Sequence, residues 1–471
     1  MSQEGLQEFN KSHFEDLISI HKDEIDYLEI RLEQKVRDTI TYNESGLKDM
    51  NSSHILGGCV RACHKGGWGF FSFTDLDQVK SCLLQAIEVA KLVGESKTQL
   101  ASVPSVTEEV RNPVIKSAFD VPVDEKLALL QSYKDRMMSY KDDRLKACRV
   151  LFSQDIHQKY FFNSEGSSIK QEFLAMDLTL TAIAMEDGVQ TPMIRVLNNT
   201  KDFDYFYNKE ELCDEVCSQA VEFCSARNLS GGEYTVILDP IMAGTLAHES
   251  FGHTSEADLF ASSPGGRETL KIGRKFGKSC LSIYDTGDQW NYSGSMKYDD
   301  EGVATRKVEL LKEGVLAGRL HTRSTAAQFG EEVTGNARSV GYQFPPIVRM
   351  RNTCIAPGKQ TFEELLSGTS KGIYCFGIYG GHGGENFSFI PAGGYRIENG
   401  KLGEPVKNFS ISGNLFDTLE TIDGVTCAED FSTLAASGEN GGCGKGEQFP
   451  LPVGMSAPRV RIQRIQIGGM A

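Results

Sequence analysis

The sequence predicts an α+β protein: an N-terminal α/β domain with antiparallel strands and flanking helices, then a C-terminal β-rich domain carrying a candidate metal site. Three observations point there. Over the first half of the chain, apolar residues recur now at helical and now at alternating spacing. From Glu233 onward, short apolar strands, glycines and hairpin signals dominate. Near that boundary, one short helical stretch, residues 246–253, reads LAHESFGH and gathers two His and a Glu.

The first segment, residues 1–100, opens with a helix. Ser12 and Glu15 form a capping-box pattern, and Phe14, Leu17, Ile18 and His21 follow at helical spacing. DYLEIRLE then alternates, with Leu28, Ile30 and Leu32 on one face and Glu29, Arg31 and Glu33 on the other, as in a half-buried strand. A turn at Asn43-Glu44-Ser45-Gly46 leads to the Gly-rich strand pair GGCVRACHKGGWGFFSF. A second helix buries Val79, Cys82, Leu83, Ala86, Ile87, Ala90 and Val93.

Residues 101–230 form a central α/β segment packed with the first. Its opening, ASVPSVTEEVRNPV, has two Pro and no period, and reads as a linker. A helix rich in Lys, Asp and Leu follows, then a strand meander from Val150 to Val196. The turn Asn163-Ser164-Glu165-Gly166 echoes Asn43 to Gly46, which suggests two similar antiparallel layers. In the closing helix, ELCDEVCSQAVEFC, Cys213, Cys217 and Cys224 share the apolar stripe and read as core groups rather than cluster ligands.

Residues 231–471 are the β-rich domain. YTVILDP is a short apolar strand, after which Asp239 can cap a helix and Pro240 take its first position. Glu398-Asn399-Gly400-Lys401 is a two-residue hairpin signal, KEGV after VELL a weaker one, and PRVRIQRIQI a terminal alternating strand.

Composition narrows function. A net charge of −15 disfavours nucleic-acid binding, which needs a basic face. No apolar run approaches the ~20 residues of a membrane span, and the polar N-terminus lacks a secretion signal's apolar core. Twelve thinly spread Cys without a C-x-x-C pair fit reduced thiols in a cytoplasmic protein.

The chemistry concentrates in HESFGH. The zinc-peptidase motif H-E-x-x-H sets its two His four apart, about 400° around a helix, so they stack. Here His253 follows His248 by five, about 500°, and swings away. Gly252 offers a remedy by letting the helix bulge or end. His248 and His253 could then be two neutral ligands, with Glu249 as general base toward a metal-bound water. A third ligand is needed: Glu256 and Asp258 are nearby, and Cys443 is a distant candidate in GENGGCGKGEQ. A Cys between glycines in a polar loop is unlike a core thiol and open to oxidation unless something occupies it. Spacing alone leaves these choices open, and with them a plain helix end holding two His.

Together with YLEIRLE, GGCVRACHKGGWGFFSF, MKYDDEGVATRKVELLKEGVL, TGNARS, VRMRNTCIAPG and GGCGKGEQFPLPVGMSAPRVRI, these residues resemble the TldD/PmbA family of metallopeptidases over nearly the whole chain. HExxxH is that family's own form of the motif, and the PmbA-type paralogues lack it, so the chain is similar to the TldD-type members. The resemblance implies that His248, His253 and Cys443 are zinc ligands and Glu249 is the catalytic base. It implies a peptidase for unfolded or small unstructured peptides, working as a homodimer or paired with a PmbA-type paralogue. A peptide could bind as an added strand on a sheet edge. The alternative is a non-enzymatic regulatory protein, since family members have carried the label "modulator of DNA gyrase".

Other polar residues invite functional readings. His382, in YGGHGGENFSF, fits a turn or a loop lining the substrate cleft better than a phosphate nest, and Glu385 and Asn386 beside it are possible peptide contacts. His321, Arg323 and Asn336 read more simply as surface or helix-cap polarity than as substrate or oxyanion contacts. A second metal site at Cys59, Cys63 and His64 is disfavoured, because neighbouring strand positions point to opposite faces.

Overall fold

The computed structural model describes residues 6–95, 99–261, 263–289, 292–436 and 441–469. Residues 1–5, and residues 438–440 in the Gly-rich stretch before Cys443, lie outside the described residues.

Helix α1 (Lys11–His21) buries Phe14, Leu17 and Ile18 as the spacing predicts. The expected capping box does not form. The helix begins before Ser12, whose hydroxyl donates to Asn10 Oδ1 at 3.2 Å and so lies inside the first turn instead of capping it. Strands β1 (Tyr27–Asn43) and β2 (Gly46–His64) make a long antiparallel hairpin, and β3 (Gly67–Phe73) continues it. Helix α2 (Val79–Val93) covers β2 and β3, with Val93 left exposed at its end.

The segment expected as a linker holds an edge strand, β4 (Thr107–Arg111), which pairs in parallel with the later strand Ser168–Glu186. Only Val110 of β4 is buried, too little for a visible period. After helix α3 (Val123–Met138) come β5 (Leu145–Asn163), β6 (Ser168–Glu186), β7 (Val189–Asn199) and helix α4 (Glu210–Cys224). The two echoing turns are the tips of hairpins β1–β2 and β5–β6. They do not form two layers. β1 pairs with β5 from Glu29–Asn163 to Asn43–Arg149, so one sheet runs β3-β2-β1-β5-β6-β4, with β7 also on β6. Cys213, Cys217 and Cys224 are buried under this sheet, and burial pushes the first two thiols up to about 12.

The strand DYLEIRLE is not half-buried. Leu28, Ile30 and Leu32 face the helices, but Glu29, Arg31 and Glu33 are buried too, because the C-terminal region covers their face. Arg31 donates to Ser339 Oγ and to the Phe344 carbonyl, both at 2.9 Å. Arg61 joins Glu29 at 3.0 Å to Glu301 at 2.8 Å.

The C-terminal region places one helix between two sheets. Among the described residues, the larger sheet has ten strands and the smaller six; the larger includes β8 (Arg227–Asn228), β9 (Gly232–Leu238), Lys371–Phe376 and the strand Val460–Gly469, and ends at the edge strand Gly380–His382. The six-stranded sheet includes Asn352–Ile355 and Val453–Ala457, which pair in parallel. Helix α5 (Pro240–Leu246) packs against strands of both sheets. Both hairpin signals hold: Asn399 and Gly400 have φ of 52° and 74°, and Glu313 and Gly314 have 48° and 79°, the paired positive values of a type I′ turn. Among the described residues, no helix is long and apolar enough to cross a membrane.

Candidate metal centre

The centre starts from a capped helix. Asp239 Oδ1 accepts the Met242 N–H at 2.8 Å, its Oδ2 accepts the Gly377 N–H at 3.0 Å, and Pro240 takes the first turn. α5 therefore begins at a fixed point between the sheets.

The extra residue of HESFGH is absorbed by a π-helical turn, Ala247–Gly252. The His253 N–H donates to the His248 carbonyl five residues back, so the two His bracket one wide turn. Their rings lie 5.3 Å apart, centroid to centroid. Gly252 serves by its size: a Cβ there would stand 2.1 Å from Met350 Sδ. The bulge thus fits against Met350 and the strand Asn352–Ile355.

The structure brings His248, His253 and Cys443 together, with one donor atom of each within 4.8 Å of the others. Cys443 Sγ is 3.5 Å from His253 Nε2. Donors held 2.0–2.3 Å from a tetrahedral ion stand roughly 3.3–3.6 Å apart, so this spacing suits a shared cation. Among the described residues, the buried His248 Nε2 has no hydrogen-bond partner, as a nitrogen reserved for a ligand would. Its Nδ1 lies 3.4 Å from Thr353 Oγ1.

Cys443 is not the open thiol its glycine neighbours suggested. It is 2% exposed, on a short strand, Cys443–Lys445, that pairs with Gln448–Leu451. Arg349, itself buried, donates to the Cys443 carbonyl at 2.7 Å and fixes the strand. Burial alone would raise the Cys443 pKa, but the imidazoles of His248 and His253 outweigh it and hold the thiol well below its ordinary value.

Glu249 differs from its neighbours. Its side chain is 31% exposed, and Oε2 is 3.9 Å from His253 Nε2. Its carbonyl accepts the Gly384 N–H at 3.0 Å. Gly383 presses still closer, since a Cβ there would stand 2.2 Å from that carbonyl oxygen. The YGGHGG stretch is thus a hairpin whose tip rests on Glu249, with His382 exposed on its edge strand and Glu385 and Asn386 exposed beside it.

Glu256 and Asp258 do not join the donor cluster. Glu256 Oε2 lies 3.1 Å from His253 Nδ1, on the far side of the ring, and Asp258 pairs with Lys445 at 2.6 Å. His321, Arg323 and Asn336 are buried structural groups rather than surface polarity. His321 bridges Thr325 and Glu331, Arg323 grips both Glu165 oxygens at 2.7 Å, and Asn336 binds Asp285. Among the described residues, no metal-ligand cluster forms at Cys59, Cys63 and His64. Arg349, Thr353 and the Gly383-Gly384 contact are not legible as site residues in the sequence; VRMRNTC and YGGHGG mark only their neighbourhoods.

Comparison with known proteins covers the whole architecture. Three family models match: PmbA/TldA metallopeptidase domain 1 over residues 28–90, the central domain over 116–223 and the C-terminal domain over 231–469. A metalloprotease of Synechocystis is 36% identical over 97% of each chain. One of Methanocaldococcus jannaschii is 32% identical over 89% of this chain and 95% of its own. The zinc metalloprotease TldD homolog of Saccharolobus solfataricus is 26% identical over 94% and 96%. Among solved structures, TldE of Thermococcus kodakarensis has a TM-score of 0.72 at 18% identity, covering 97% of this chain and 99% of its own. A Thermotoga maritima protein described as a candidate modulator of a DNA gyrase has 0.78 at 21% identity, covering 97% and 100%.

Proposed function

The chain belongs to the TldD/PmbA family and is a metallopeptidase, and from that premise we propose a zinc peptidase with His248, His253 and Cys443 as ligands and Glu249 as general base. One observation carries this reading: three ligand-type donors lie within 4.8 Å of one another in a buried pocket, beside a carboxylate open to solvent. The Saccharolobus relative is called a zinc enzyme, which supports the choice of metal.

Bound there, zinc would supply Lewis acidity toward the scissile carbonyl and acidify a water. The chain's own residues do the rest. Glu249 takes the proton of the attacking water and passes it to the leaving amine. Cys443, as a thiolate, gives the centre more charge than a third imidazole would, so Glu249 carries a larger share of the activation.

The edge strand Gly380–His382, which among the described residues pairs on one side and turns back over Glu249, supports extended peptides as the substrate class. An extended peptide adding to this edge presents its backbone to Glu249 with loose side-chain preference. Folded proteins, whose backbone is already paired, are poor substrates. The partner in this reading is a second related subunit, and the TldE-type neighbour of the same fold supports it. Twelve free thiols, without a disulfide among the described residues, fit the cytoplasm.

The test is cleavage of unfolded casein by the metal-loaded protein. Loss of cleavage with a chelator and its return with zinc are expected. A metal-loaded sample that cuts nothing, even with a related subunit present, sinks the proposal. Equal rates on folded and unfolded forms of one substrate sink the edge-strand part.

A further inference from the structure

We infer that Glu256 is a positioning residue for the metal centre, and that through Lys445 it locks the two ligand-bearing elements to each other. The inference rests on the ligand set proposed above and deepens it.

Glu256 follows His253 by three residues, and its N–H donates to the His253 carbonyl at 3.1 Å. A backbone bridge to Leu320 fixes its main chain. Its side chain is fully buried. Oε2 sits 3.1 Å from His253 Nδ1, while His253 Nε2 faces Cys443 Sγ at 3.5 Å. A neutral imidazole carries one proton on one of two nitrogens. A carboxylate against Nδ1 holds the proton there and leaves the Nε2 lone pair aimed at the cluster.

The same oxygen reaches across the chain. Lys445 Nζ is 3.1 Å from Glu256 Oε2, and also donates to Asp258 Oδ1 at 2.6 Å and to the Val348 carbonyl at 2.9 Å. Lys445 lies two residues beyond Cys443 on one short strand. The strand that brings the sulfur is thus moored to the carboxylate that aims His253. Among the described residues, His248 Nδ1 meets no carboxylate and has the 3.4 Å contact with Thr353 Oγ1.

A buried carboxylate is costly, and among the described residues Glu256 Oε1 has no hydrogen-bond partner. Holding one imidazole and one ammonium together, from two remote segments, accounts for keeping it.

The test is zinc affinity of the full chain, by competition with a chromophoric chelator, together with the visible spectrum of the cobalt(II) form. Glu256→Ala is expected to weaken zinc binding by about 10–100-fold. Glu256→Gln, which keeps an acceptor oxygen, restores most of that loss. Lys445→Met weakens binding and alters the cobalt–thiolate absorption. If Glu256→Ala does not fold, Glu256→Asp decides, because the shorter carboxylate no longer reaches Nδ1 and the same loss is expected. Wild-type affinity and an unchanged cobalt spectrum in Glu256→Ala, or in Glu256→Asp if that decides, and in Lys445→Met overturn the inference alone. A wild-type chain that binds no zinc overturns the zinc reading and this inference with it.

Discussion

Cys443 Sγ lies 3.5 Å from His253 Nε2, although 190 residues separate them in the chain. That contact closes the donor set, and it separates the roles of the residues around it. Cys443→Ala should lose bound metal and activity together. Glu249→Ala should keep its metal and lose about 10²–10⁴-fold in rate, the usual worth of a general base. Metal analysis and casein cleavage on both variants check this. Full zinc occupancy in Cys443→Ala would remove that residue as a ligand.

Gly252 sets how closely the π turn approaches its neighbours. A Cβ there would stand 2.1 Å from Met350 Sδ, and Met350 is fully buried. Gly252→Ala should therefore cost about 1–3 kcal/mol as overpacking. Combined with Met350→Ala, it should cost less than the two single changes added, since the second makes room for the first. Denaturant unfolding of the four chains measures the coupling, and strict additivity would rule out the clash.

Gly383 meets backbone, which cannot give way. Its Cβ would stand 2.2 Å from the Glu249 carbonyl oxygen and 2.4 Å from Glu249 Cβ. Gly383→Ala should displace the base but not the ligands. A shift near 1 Å is worth about 10²-fold in rate. The expected result is low turnover at full metal content, and normal turnover would argue against Glu249 as the base.

Asp300 ties the large N-terminal sheet to the C-terminal region. It accepts hydrogen bonds from Lys159 Nζ and the Ser339 N–H, both at 2.8 Å. Burial would raise its pKa, but Lys159 and Arg31 outweigh burial and hold the carboxyl well below its ordinary range. Its pKa is lower folded than unfolded, so its contribution is fully present above the unfolded value of ~3.9 and is lost as the pH falls below it. Asp300→Asn should cost about 3–5 kcal/mol near neutral pH, by leaving buried cations short of a partner. Its stability should also fall less steeply than the wild type below pH ~4. Unfolding curves across that window test the sign.

Much of the local structure is legible in the sequence because it depends on residues a few positions apart. Asp239 and Pro240 announce a helix start, Asn399-Gly400 a tight hairpin, and the Cys stripe of α4 a buried face. His248, Glu249 and His253 stand out for the same reason, as three reactive side chains within six residues. What the sequence leaves open is what each segment meets. Only the fold covers the charged face of β1 and turns Glu29 and Arg31 into buried ties. Only the fold recruits residues 107–111 as an edge strand, and sets Gly383 on Glu249. The five-residue His spacing looks like a fault until Met350 and the strand behind it hold a π turn in place. Cys443, buried though its glycine neighbours suggest exposure, shows the reason most plainly. Local propensity acts over one or two turns, whereas burial and donor geometry come from segments far apart in the chain, and those pairings exist only once the sheets have formed.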